Sequence, residues 1–282
     1  MSLDYKFSAK TVIGDGRTTM QLLDAIKEWI KSLNDKDVPH FIQDELVVLF
    51  LTCLDNNIDV TKNSIIAFYK LRKEAPDIFD GRIVCNEDII LALNTMTMIM
   101  IPTRTSSNDV ILLFKLNDSN YKNFDAISTM KLCFMLMDLT YHGSPPNGLI
   151  LLVDTEMFGF KHMARLKMDA LKKFFTFLQE ALPLKLTGFH FLNSNFVLRT
   201  LWSMVKVFIK DDVLLKFFLH EPDPKQEQLF KYIPRECLPR EYGGDLPGIT
   251  ILQDLTVRKL KANQEFWNKE EALRKEFSLI LM

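Results

Sequence analysis

The sequence predicts an α/β protein in which an all-helical N-terminal module precedes a part built on a mostly parallel sheet. Three observations carry this. The first hundred residues repeat apolar positions at helical spacing. From about residue 110, short unbroken apolar runs alternate with longer helical stretches, as strands covered by crossover helices do. The composition of the 282 residues is that of a packed protein: 48% apolar, 25% charged and only ten glycines, which excludes disordered, collagenous and disulfide-scaffold chains.

The elements follow in order. Thr18 and Thr19 can cap a helix whose apolar face is Leu22, Leu23, Ile26, Trp29, Ile30 and Leu33. A second helix is expected over Phe41 to Leu54. A third, with Ile65, Ile66, Phe68, Tyr69 and Leu71, follows Asp59 to Thr61 and stops before Pro76. Helical bundles of this kind ordinarily serve as stabilising subdomains. The runs Val110 to Phe114, Leu149 to Val153 and Gly188 to Leu192 read as strands. Between them, Ile127 to Leu139 and Met168 to Leu182 are long enough for helical crossovers.

Charge and residue choice narrow the functional classes. A net charge of −1 argues against a strongly basic nucleic-acid binder, and no nucleic-acid partner is expected. There are 22 Phe and 13 Met against six Tyr and three Trp, a surplus of side chains without a strong polar handle. That surplus serves deep packing or an apolar ligand equally well. Cys53, Cys85, Cys133 and Cys237 lack CxxC spacing, so reduced, mostly buried thiols are expected, with neither zinc nor a disulfide framework. The N-terminal residues show no signal-peptide core, and the apolar runs are interrupted, as at Arg199 and Lys206. The expected setting is cytoplasmic with peripheral membrane association, and a monomer is expected.

No catalytic constellation emerges. The nucleophile elbow and the P-loop are both missing, and Gly14-Asp15-Gly16 follows no strand. His40, His142, His162, His190 and His220 lack ligand spacing; His190, inside an apolar run, reads as a hydrogen-bonded buried histidine. Asp154 ends a strand, where it reads as a cap for the next turn. No cofactor, no metal and no enzymatic activity are expected.

The stretch from Asn195 to Lys210 is different. As a helix it is apolar around nearly its whole circumference, interrupted only by Arg199, Thr200, Ser203 and Lys206. Such a helix is either buried on every side, or lies with one face over an apolar cavity and the other against a membrane. Nine Lys or Arg against two acids between Gly159 and Lys210 give a local charge of +7, which favours the membrane reading.

The segment Leu182 to Asn193 resembles the lipid-binding core of the CRAL-TRIO family. Leu238-Pro239-Arg240-Glu241-Tyr242-Gly243-Gly244 is similar to the family's leucine-proline-x-glutamate-tyrosine-glycine-glycine signature, and Gly148 to Asp154 to its strand ending in aspartate. Asp59 to Pro76 resembles the family's N-terminal helical module. The pattern is most similar to the tocopherol-transfer and retinaldehyde-binding branch, and the tail, with Asn263 and Trp267, resembles insect members of it.

The resemblance implies a helical module over residues 1–98, an α/β lipid-binding cage over 99–252 and a helical tail over 253–282. The cage would enclose one small lipophile such as a tocopherol, retinoid, carotenoid or other isoprenoid. Its walls would be Leu151, Val153, Phe158, Phe174, Phe177, Leu178, Leu182, Leu184, Leu186 and Phe189. A movable lid would carry Leu198, Leu201, Trp202, Met204 and Val205. Lys185, Arg199, Lys206, Lys210 and Lys216 would meet anionic membranes transiently. Thr187 and Asp212 stand where relatives carry basic residues, which weakens specific phosphoinositide recognition. The alternative is a membrane-recruited adaptor whose cage is filled by Phe158, Phe174, Phe177 and Phe189.

Overall fold

The computed structural model describes residues 3–223 and 227–280. Met1, Ser2, Leu281 and Met282, at the ends of the expected first and last divisions, lie outside the described residues. The chain opens with six helices: α1 (Ala9–Gly14), α2 (Met20–Ser32), α3 (Asp44–Cys53), α4 (Ile58–Glu74), α5 (Pro76–Phe79) and α6 (Glu87–Thr95). Thr19 caps α2, its side chain accepting from the Leu22 amide, and Asn57 caps α4 through the amides of Asp59 and Val60. The second helix starts three residues later than the periodicity suggests. Gln43 precedes it, Asp44 and Glu45 meet the positive end of its dipole, and Phe41 is left outside it, 71% exposed.

The α/β part runs β1 (Met96–Met100), β2 (Asp109–Leu116), α7 (Ala126–Gly143), β3 (Gly148–Asp154), α8 (Phe160–Met163), α9 (Met168–Glu180), β4 (Leu186–Leu192), α10 (Phe196–Val205), α11 (Asp211–Leu214) and β5 (Phe217–Leu219). The strands lie side by side in chain order. β2 to β5 are parallel, and β1 pairs antiparallel with β2. Alternation along each strand divides the core between two faces. Val110, Leu112, Phe114, Leu149, Leu151 and Phe189 face the crossover helices. Ile111, Leu113, Ile150, Leu152 and Leu192 face the segment from Leu229 to Leu252, which leads into α12 (Ile249–Ala262) and α13 (Gln264–Ile280).

The signature segment fastens that second face. Tyr242 is 4% exposed, and its hydroxyl donates to Asp154 at 2.8 Å, binding the motif to the end of β3. Glu241 accepts from the Ile249 amide at 3.1 Å and so caps α12. Gly243 takes a left-handed conformation with φ of 71°. At Gly244 any Cβ would fall 1.9 Å from the Leu238 carbonyl oxygen, so no side chain fits.

A buried charged seam joins the N-terminal helices and the tail to the cage. Arg72 on α4 donates to Asp138 on α7 at 3.0 Å and to Glu270 on α13 at 2.9 Å. Arg82 donates to Asp138 at 2.7 Å and also to Glu270. Tyr141 donates to Asp138 at 2.5 Å, and the Arg72 guanidinium lies 4.1 Å from the Phe68 ring centre. Two guanidinium forks against two carboxylates balance in charge, and Arg274, 3.5 Å from Glu270, is balanced by Asp80 at 2.6 Å, which is what permits their burial. Burial pushes the Glu270 carboxyl up, but Arg82, Arg72 and Arg274 outweigh it and bring it down to about 2.

Candidate functional site

The sheet, α7, α9 and α10 enclose an apolar cavity of about 210 Å³ at the C-terminal ends of the parallel strands. Each element contributes by its own periodicity. On the strands the apolar cavity residues share one parity: Phe114 and Leu116 on β2, Leu151 and Val153 on β3, Phe189 and Phe191 on β4; Asp154, the last residue of β3, reaches the rim from the other parity. Register brings Leu112 beside Leu151 and Phe114 beside Val153, so the wall is continuous. On α7 Cys133 lies one turn on from Thr129 and Met130, and on α9 Phe174 and Phe175 lie one turn on from Leu171. β1 adds Met96 and Met98. A ladder of aromatic rings closes one side: Phe189 stacks on Phe191 at 4.6 Å and on Phe217 at 4.8 Å, and Trp202 lies 5.0 Å from Phe217.

The roof is α10. Asn195 caps it, its side chain accepting from the Leu198 amide and donating to the carbonyls of Thr155 and Phe158, which ties its first turn to the loop after β3. Leu198, Leu201, Trp202 and Val205 point down into the cavity. The opposite face is turned outward, with Phe196 73% exposed and Met204 beside it, and Val207, in the 3-10 turn that follows the helix, is 72% exposed. Phe160 extends the exposed apolar surface, its ring lying 6.1 Å from that of Phe196, and Leu215, just past α11, is also exposed.

Few polar atoms line the cavity, and each has a partner. The Thr129 hydroxyl donates to the Asp125 carbonyl at 2.7 Å, and that of Thr155 to Leu192 at 2.8 Å. Asp154 receives the Glu156 amide, as a turn cap does, and also Asn193, Tyr242 and Lys115. Burial pushes its carboxyl up; the hydrogen bonds from Asn193, Glu156 and Tyr242, with Lys115, prevail and hold it below the usual carboxylate range. Burial raises the Cys133 thiol, so no thiolate faces the cavity.

The ten expected wall positions divide evenly. Leu151, Val153, Phe158, Phe174 and Phe189 line the cavity; Phe177, Leu178, Leu182, Leu184 and Leu186 do not. The reason is direction. α9 runs back along the sheet, so only its first two turns reach the strand ends where the cavity lies. Phe177 packs on Phe79 at 4.7 Å and Phe134 at 5.0 Å, under the helical module. Leu186 pairs with Leu149 at the opposite end of the strands. Of the expected lid positions, four face inward, and Met204 faces out.

The expected membrane cations are mostly paired. Lys185 binds Asp55 at 2.8 Å, Lys210 binds Glu180 at 3.0 Å, and Arg199 binds Glu221. Among the described residues Lys206 and Lys216 are exposed and make no ion pair. Thr187 donates to the Leu149 carbonyl, and Asp212 is exposed on α11. His190 is 2% exposed and its Nδ1 lies 2.9 Å from Nε2 of His220, as a buried hydrogen-bonded histidine should. Of the cysteines, Cys133 and Cys237 are buried, Cys53 is half-buried and Cys85 is exposed; none forms a disulfide.

The sequence reading missed Met96, Met98, Phe114, Leu116, Phe124, Thr129, Met130, Cys133, Thr155, Leu166, Leu171, Phe175 and Phe191. Parity could have supplied Phe191 from Phe189. The methionine cluster from Met96 to Met100 follows α6 without a turn signal, which hid both the strand and its cavity face.

Residues 94–244 match the CRAL/TRIO domain. The chain belongs to that family. Residues 17–89 match the Pinta-like UBA domain. Clavesin-1 of Xenopus laevis is 35% identical over 101 residues, which cover 36% of this chain and 30% of that protein. Clavesin-2 of Homo sapiens is 32% identical over 101 residues, again 36% of this chain and 30% of the relative. The matched stretch thus spans under a third of these curated relatives' length. The crystal structure of Sfh5 superposes with a TM-score of 0.52 at 15% identity, covering 84% of this chain and 91% of that one, a likeness of fold. Among the described residues no helix is long and apolar enough to cross a membrane.

Proposed function

We propose that this CRAL/TRIO protein carries a small lipophile in the cavity beneath α10 and exchanges it at membranes, without covalent chemistry. The observation that carries the reading is the apolar cavity itself, roofed by a helix whose outer face is also apolar. A ligand placed there gains roughly 25 cal/mol for each Å² of apolar surface removed from water. Because the polar atoms of the lining are already partnered, the buried part of the ligand is hydrocarbon; a tocopherol, retinoid, carotenoid or other isoprenoid supplies one. At about 210 Å³ the cavity is smaller than the roughly 300–1,000 Å³ of ordinary small-molecule sites. Loading therefore requires α10 to move outward, and Phe196, Val207, Phe160 and Leu215 give it a membrane to move into. Release then never passes through water.

Placement in the tocopherol-transfer and retinaldehyde-binding branch, with insect-like affinity, rests on the residue pattern from Gly148 to Lys210. The division into 1–98, 99–252 and 253–282, a cytoplasmic setting and a monomeric state belong to the same proposal. Membrane attraction would be diffuse, since three of the five cations named for it are engaged with acids. The open cavity argues against the adaptor reading, in which Phe158, Phe174, Phe177 and Phe189 would have filled it. Native mass spectrometry and an organic extract of the purified protein should reveal one lipophile per chain, or a panel should bind saturably. Failure across tocopherols, retinoids, carotenoids and phospholipids would sink the proposal.

A further inference from the structure

At the far end of α7 from the lipophile cavity lies a second, open groove of about 380 Å³. Its apolar floor is backed by the buried Val110, Leu139 and Leu252, and its accessible apolar surface is given by Pro102 and by Leu255, half-exposed at the rim. Two cations line it: Arg104, from the loop between β1 and β2, and Lys259, from α12. Gly143 adds open space, since a Cβ there would meet nothing within 4 Å.

Further cations gather around the same helix end. Arg17 donates to the carbonyls of Pro145 and Pro146, both at 2.9 Å, and Arg104 donates to that of Ser144 at 2.7 Å. The Lys6 amide donates to the His142 carbonyl at 2.9 Å. Carbonyls at a helix C-terminus favour cations but carry only partial charge. The Lys259 ammonium has less still: its partner is the Met100 thioether at 3.6 Å. No carboxylate among the described residues lines the groove. Among the described residues Lys6, Arg17, Arg104 and Lys259 make no ion pair, whereas Arg199 and Lys210 near α10 both do. Acids close by in the chain are engaged elsewhere or only act at a distance: Asp4 holds Lys269 at 2.6 Å, the buried Asp109 accepts from Thr105 at 3.2 Å, and Asp15 acts on Arg17 without bonding it. The crowding is felt by the groups themselves. Burial and then Arg17 lower the Arg104 guanidinium, and burial followed by Lys6 and Arg104 lowers the Lys259 ammonium.

We propose that this groove is a second binding site, taking a phosphomonoester on a short apolar stem. The dianion would lie between Lys259 and Arg104, and the stem along Leu255 and Pro102 at the rim. A dianion suits a place where several cations converge without a counter-charge, and the apolar rim selects an amphiphile over the bare anion. A membrane lipid headgroup and a free phosphorylated amphiphile share this chemistry.

The test is a calorimetric titration of the full chain with octyl phosphate, inorganic phosphate and octyl glucoside, repeated on Arg104→Gln/Lys259→Gln. Octyl phosphate should bind saturably, at least ten-fold more tightly than inorganic phosphate or octyl glucoside, and lose at least ten-fold in the double variant. Both substituted side chains reach solvent, and a circular dichroism melt confirms that the variant is folded; Lys259→Gln alone, on the surface of α12, should show part of the loss. Flotation with phosphatidic acid vesicles separates the sources. Vesicle binding that falls in the double variant assigns a lipid headgroup, and octyl phosphate binding without vesicle uptake assigns a free amphiphile. Equal affinity in wild type and double variant, or octyl glucoside binding as tightly as octyl phosphate, would overturn the site.

Discussion

The charged seam and the lid region sit on one helix and are built by opposite means. At Asp138 and Tyr141, α7 is locked to α4 and α13 by guanidinium–carboxylate pairs with no water between them. Two to three turns earlier, at Thr129, Met130 and Cys133, the same helix borders a void roofed by a helix that exposes its greasy back. The difference teaches where this fold is fixed and where it can give. Two-sided ion pairs tolerate little displacement, because moving one partner strands a buried charge. Apolar side chains facing a cavity have no such directional demand and can part.

The largest expected effect lies in the seam. Glu270→Ala leaves Arg72 and Arg82 each short of a carboxylate and should cost ~3–5 kcal/mol in urea unfolding. A loss below about 1 kcal/mol would mean that the seam is not what holds the helical module and tail to the cage.

Acid should separate the two regions next. The paired His190 and His220 lie behind the cavity wall, and burial, then His220, brings His190 down to about 4 from an ordinary 6.5. The folded state therefore binds fewer protons than the unfolded chain between those values, and stability falls as pH falls through that window, by about 1.4 kcal/mol per unit. Glu270 works in a lower window: its contribution is present above the ordinary 4.5 and is lost only as pH falls toward about 2. Urea midpoints at pH 7 and pH 5 should show the loss, and His190→Gln should flatten it. A midpoint that is unchanged or higher at pH 5 would contradict the sign.

The smallest effect on stability should come from the roof. Phe196→Ser with Val207→Ser removes side chains that are already in solvent, so stability should stay within about 0.5 kcal/mol. Flotation with liposomes should nonetheless drop several-fold. A variant that binds liposomes like the wild type would show that the outer face of α10 is not the membrane contact.

Much of this was legible beforehand, and the remainder was hidden for physical reasons. Strands β2, β3 and β4 announced themselves as apolar runs, while β5 has only three residues and β1 grows out of α6 with no breaker between them. Asp154 read as a turn cap, and it is one; its bond to Tyr242, 88 residues away, has no local trace. The seam was invisible for the same reason, since Arg72 and Glu270 lie 198 residues apart and each looks like a surface residue in sequence. The lid positions came with the family resemblance, and four of the five turn inward. The wall residues on α9 did less well, because the pattern marks an apolar face without saying which turns of it reach the cavity and which pack on Phe79 and Phe134.

The central claim, that the void beneath α10 is the seat of a ligand, is tested most directly by filling it. Cys133 is 7% exposed and lines the cavity from α7, so Cys133→Phe places a ring in the void. Energy transfer from tryptophan to retinyl acetate reports occupancy, since Trp202 borders the same space. The wild type should saturate at one ligand per chain, and Cys133→Phe, with its fold verified by circular dichroism, should bind at least ten-fold more weakly. Equal, saturable binding by both proteins would place the ligand elsewhere and contradict the account.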